Sequence, residues 1–93
     1  MSVFHLRFTT APSKKMATDL RSELLRLEDG VELTVGRQGP KGDTLTSVVT
    51  LEEDGSFWVH DVDTDNIYVG WDVECVMKHM NAGGYTVSSL TVF

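Results

Sequence analysis

The sequence predicts a small α+β domain, and three observations carry that reading. Ninety-three residues suit one domain with its own core. Several segments alternate apolar and polar residues, the period of half-buried strands. Two others repeat their apolar residues every three or four positions behind a capping residue, the period of helices packed on one side. The predicted order is βαβββαβ. Without one hairpin strand this is the βαββαβ order of a ferredoxin-like sandwich or a related fold. Residues 1–93 are therefore expected to form a single domain with two helices packed on one face of an antiparallel or mixed sheet.

The first strand, SVFHLRFTT, places Phe4, Leu6 and Phe8 on one face and His5 and Arg7 on the other. With Ser13 as N-cap, a helix then brings Met16, Leu20, Leu24 and Leu27 onto one stripe, opposite Arg21, Ser22 and Arg26. Asp29 and Gly30 end it, and Val31, Leu33 and Val35 align in the next strand. Gly36 to Asp43 holds three glycines and a proline and predicts a loop. Within it Gly36, Arg37, Gln38 and Gly39 resemble the GXXG clamp of KH nucleic-acid-binding domains. That clamp joins two helices, whereas strands flank these residues, so the expectation is a hairpin tip.

Two β-rich segments follow, TLTSVVTLE and FWVHDV, and the Asp54-Gly55 pair between them signals a hairpin. After an acidic stretch, a second helix is capped by Asp72 and stopped by Gly83 and Gly84, with Val73, Val76, Met77 and Met80 toward the core. The chain closes on YTVSSLTVF, a strand whose alternation slips at Ser88 and Ser89 and predicts a bulge there. That strand carries no charge and is expected at a sheet edge, where it would pair with a second copy in a homodimer.

Composition narrows the function classes. At 41% hydrophobic and 24% charged residues, with two prolines, the chain is of the ordinary globular kind. Neither a signal-peptide core nor an apolar run of membrane-spanning length is evident, and the single Cys75 makes no internal disulfide, so a cytoplasmic protein is expected. The net charge of −6 is unevenly spread. Seven Lys or Arg face five acids up to Gly42, whereas Asp43 to Met77 holds nine acids and no Lys or Arg. Phosphate binding depends on Lys and Arg, so direct nucleic-acid binding is disfavoured and a basic protein partner or a cation is favoured.

The acidic stretch DVDTDNIYVGWD also has the spacing of an EF-hand calcium loop. Asp61, Asp63, Asp65 and Asp72 fall at positions one, three, five and twelve, and Ile67 sits at the backbone-carbonyl position seven. A helix follows but a strand precedes, and Asn66 stands where the pattern has glycine. On the second helix, Cys75 and His79 lie four apart on the face opposite the core stripe, the spacing of two zinc ligands or of a thiol beside its base. The chain has no phosphate-binding glycine loop, no GxSxG and no HExxH.

The leading expectation is a non-catalytic protein-binding module. Glu52, Glu53, Asp54, Asp61, Asp63, Asp65, Asp72 and Glu74 supply an acidic face, and Trp58 and Trp71 supply aromatic anchors for a basic protein surface. Such a face could occupy a nucleic-acid-binding site, as small phage-encoded anti-defence (anti-CRISPR-like) inhibitors do. The alternatives are a calcium module, with Ca2+ at Asp61, Asp63, Asp65 and Asp72, and a small thiol or metal enzyme using Cys75 and His79. Outside the calcium reading no cofactor is expected.

Overall fold

A computed structural model of the chain describes residues 7–9 and 13–92, with side chains from residue 19 to residue 92. Leu33 and Val35, Val49, Phe57 and Val59, and Val87 and Leu90 are buried at alternate or nearly alternate strand positions, so the strands present one apolar face. Leu20, Leu24 and Leu27 of one helix and Val76 and Met80 of the other join the same core. The result is a two-layer α+β domain, with both helices against that face.

In chain order the elements are β1 (Arg7–Thr9), α1 (Ser13–Arg26), β2 (Glu32–Gln38), β3 (Thr44–Leu51), β4 (Phe57–Asp61), β5 (Asn66–Trp71), α2 (Val73–Met80) and β6 (Thr86–Val92). The strands form one sheet in the order β1-β6-β2-β3-β4-β5, and every pairing is antiparallel. β2 to β5 make a meander of hairpins. α2 then carries the chain back across the sheet to β6, which enters between β1 and β2. Among the described residues, no helix is long and apolar enough to cross a membrane.

Three expectations are corrected here. First, a strand occupies Asn66–Trp71, where the sequence suggested an acidic loop, so the order is βαββββαβ with one strand more than expected. Ile67 and Tyr68 of the β-rich run Ile67, Tyr68, Val69 pair with His60 and Val59 of β4, and that pairing outweighs the turn character of the aspartates before it. Second, β2 runs through Gly36, Arg37 and Gln38, so the expected loop begins later and the GXXG pattern lies mostly within a strand. Third, β6 lies inside the sheet, paired along β2 on one side and through Leu90, Thr91 and Val92 with β1 on the other, so it is not the edge strand expected.

Other expectations have physical counterparts. Ser88 is the extra residue in the β6 ladder, since Gly36 pairs with Ser89 and Arg37 with Val87. Gly36 suits that crowding, because a Cβ there would meet the Ser89 hydroxyl at 2.3 Å. The hairpin at Asp54-Gly55 closes with Glu52 donating its N–H to the Ser56 carbonyl at 2.8 Å. Asp72 caps α2 by accepting from the Cys75 N–H at 2.9 Å. The facing of Phe4, Leu6 and Phe8, the burial of Met16, and the capping role of Ser13 lie outside the described side chains.

Candidate functional site

Two groupings of polar and aromatic side chains arise from this architecture, one buried and one exposed. The buried one begins where the apolar alternation of the central strands gives way to polar residues. Following Leu33 and Val35 on β2, the next inward position is Arg37; beside Val49 on β3 it is Ser47; following Val59 on β4 it is Asp61. Val35 pairs with Ser47 and Ser47 with Asp61, with Arg37 one inward position further on, so the three gather at one end of the sheet beneath α2.

The hydrogen bonds there are nearly complete. The Ser47 hydroxyl donates to one Asp61 carboxylate oxygen at 2.6 Å and accepts from Arg37 Nη2 at 3.1 Å. His79 Nε2 meets the other Asp61 oxygen at 2.7 Å, and Arg37 Nη1 donates to the His79 carbonyl at 3.3 Å. Arg37 Nη2 lies 3.5 Å from Asp61, and the guanidinium sits over the Tyr85 ring at 5.8 Å. Among the described residues the buried Arg37 Nε has no hydrogen-bond partner. This is not the geometry of nucleophilic catalysis. A Ser-His-Asp relay places histidine between serine and carboxylate, whereas here the carboxylate lies between the other two and Ser47 is fully buried. What the arrangement does is tie α2 to β2, β3 and β4.

Aromatic rings pack on the same histidine. Gly70, at φ +74, forms a bulge in β5, so that Val59 pairs with Tyr68 while Phe57 pairs with Trp71. The extra residue puts two rings three positions apart on one face. They stack at 4.5 Å between centroids, and each lies about 5 Å from the His79 ring.

The four aspartates of the calcium-like spacing therefore diverge. Asp61 is only 7% exposed and points into the core side. Asp63 accepts from the Thr46 N–H at 2.6 Å, Asp65 meets His60 Nε2 at 2.9 Å, and Asp72 caps α2. The stretch is a hairpin and not a loop between helices, because β5 draws its second half into the sheet. At the turn itself the left-handed residue is Asp65, at φ +57, and not Asn66. Among the described residues no three His, Cys, Asp or Glu side chains gather as a metal-binding group.

Cys75 and His79 also face differently from expectation. Cys75 is exposed and free, whereas His79 turns onto β4 and β5 to reach Asp61, Tyr68 and Trp71. Trp71 is accordingly half-buried, and Trp58 is half-buried on the opposite, open face of the sheet, 5.9 Å from the His60 ring.

The exposed grouping lies at the two turns that bracket β4 and β5. Glu52, Glu53 and Asp54 occupy the β3–β4 turn, and Asp63 and Asp65 occupy the β4–β5 turn. An open cleft of about 570 Å³ is lined by Glu52, Glu53, Asp54, Ser56, Val69 and Gly70. The Asp54 carboxyl is held below its ordinary range, first by the Ser56 hydroxyl and then by the Ser56 N–H, so it stays ionised. Glu74 stands apart from this group. Arg21 donates to it from both Nη1 and Nη2, which depresses the Glu74 carboxyl and offsets its charge.

Sequence reasoning missed the buried polar roles of Arg37 and Ser47 and the exposure of Val69. A signal for the first two existed: each continues an inward alternation already apolar, so a charge or hydroxyl there must be buried and partnered.

No family model matches the chain. It is similar to phospholipase D alpha 2 and phospholipase D alpha 1 of Arabidopsis thaliana, each 29% identical over 102 residues. The alignment covers 95% of this chain and 13% of each relative, so the chain spans about one eighth of their length.

Proposed function

We propose that the domain is a non-catalytic protein-binding module whose acidic turns engage a basic protein surface. One observation carries the reading: five carboxylates, Glu52, Glu53, Asp54, Asp63 and Asp65, stand exposed at the two turns, with exposed Ile67 and Val69 on the strand beside them. Acids at such a position speed encounter with a basic surface, and apolar side chains between them supply contact area that salt does not screen. Trp58 is the aromatic anchor for this face. Asp61 and Trp71 serve the interior instead, and Glu74 is offset by Arg21.

The finer form of the proposal is an inhibitor of the anti-defence type, whose acidic face occupies a nucleic-acid-binding site. The experiment recovers a partner by pull-down from the native host and measures its association with the chain across a salt series. Reversing Glu52, Glu53, Asp63 and Asp65 to Lys should slow association and flatten its salt dependence. Unchanged association rates would remove the acidic turns from the docking face. For the inhibitor form, the chain should also displace nucleic acid from the recovered protein.

The alignment with phospholipases D over nearly the whole chain favours a second reading, a unit akin to one segment of such an enzyme. Co-sedimentation with phospholipid vesicles is the check. Protein left wholly in the supernatant would count against it.

A further inference from the structure

We infer that the outer edge of β5 is a strand-addition site for an extended basic segment of a partner protein, an inference that rests on the acidic-face reading above. β5 ends the sheet order, so among the described residues no strand pairs with its outer side. Edge strands leave backbone N–H and C=O groups ready to pair with another chain, and proteins usually guard them with Lys, Pro or a bulge. β5 contains neither Lys nor Pro. Its bulge falls at Gly70, near the end, and leaves Asn66, Ile67 and Tyr68 in regular register with β4.

The side chains on this edge suit a partner strand. Ile67 and Val69, two apart and so on one face, are 54% and 66% exposed. A β-branched residue on an added strand would lie beside each, as cross-strand neighbours do. Both ends of the edge are acidic. Asp63 and Asp65 precede β5, Asp72 follows it, and Glu52, Glu53 and Asp54 line the cleft with Val69 and Gly70.

That charge pattern selects the occupant. If a second copy paired antiparallel, Asp63 and Asp65 of one chain would meet Asp72 and the Glu52–Asp54 turn of the other; if parallel, the same acids would lie side by side. Like charges oppose both arrangements. A segment with β-branched residues at alternate positions and Lys or Arg near its ends meets opposite charge at each end and apolar surface between.

The test uses the full chain, isotopically labelled, with a capped peptide of alternating lysine and valine. Binding should slow amide exchange across Asn66 to Val69. N-methylating every residue of the peptide, so that neither edge can donate, should weaken binding by about tenfold or more, since two or three backbone hydrogen bonds are lost. Val69→Lys, at an exposed position, should weaken the unmodified peptide while leaving the melting midpoint in place. Equal binding of the N-methylated peptide would reject strand addition and leave the acidic-face reading standing. Equal binding of a glutamate-valine peptide would reject the acidic-face reading instead. No binding of the lysine-valine peptide, or a dimer of the free chain protecting the same amides, would overturn the proposal.

Discussion

Asp61 and Asp65 sit four residues apart in one hairpin and do opposite things. Asp61 ends β4 facing the helices, where it gathers Ser47, His79 and Arg37 and is nearly inaccessible. Asp65 occupies the turn, with its side chain 87% exposed and in contact with His60. The residue type is the same, so the difference lies in the surroundings. A carboxylate removed from water must be matched by donors and a counter-charge, whereas one at a turn is solvated and keeps its long-range field. The buried cluster therefore ties helix to sheet, whereas the exposed turns keep their charge in solvent.

The sharpest way to break this comparison is to remove the buried member. Asp61→Ala leaves Arg37 and His79 without their carboxylate and should cost about 3–5 kcal/mol in a urea titration. Replacing Arg37 and Asp61 together by Met and Leu should recover much of that loss, because no buried charge is then left unpaired. A neutral Asp61→Ala would show that water solvates this end after all.

A smaller effect is expected at the bulge that sets the aromatic rings over His79. Gly70→Val forces a side chain into φ +74 and should cost about 1–2 kcal/mol, with loss of near-ultraviolet dichroism from Trp71. An unaltered aromatic signal would mean that the rings stack without the bulge.

Acid should expose the next difference. The Asp72 carboxyl is depressed first by the Cys75 N–H, and the Glu74 carboxyl first by its hydrogen bond from Arg21. Folded values below the unfolded ones mean that both contributions are complete above the ordinary carboxylate range near pH 4 and fade as pH falls through the depressed values. Asp72→Asn should therefore narrow the gap between melting midpoints at neutral pH and at pH 2. An unchanged gap would show that the cap contributes no pH-dependent stability.

The smallest effect is expected at the turn itself. Asp65→Lys should leave the melting midpoint nearly unmoved while slowing association with a basic partner. Millimolar calcium should likewise leave the midpoint in place, because the four aspartates point to four different partners; a clear rise would show that the turn rearranges around the ion.

Much of the local structure was legible without coordinates. The 3.6-residue stripe of Leu20, Leu24 and Leu27, the Asp72 cap, the Asp54-Gly55 turn and the slip at Ser88 are short-range signals, each set by neighbours a few residues away. The charge excess between Asp43 and Met77 is likewise a property of the chain alone. The sheet order was not legible, because alternation says that a strand has a buried face and not which strand lies beside it. Only the tertiary pairing placed β6 between β1 and β2, joined Arg37, Ser47 and Asp61 beneath α2, and turned an apparent ion loop into an edge strand. The reason is that these contacts close across ten to more than fifty residues, where burial and register choose among partners that local periodicity leaves equivalent.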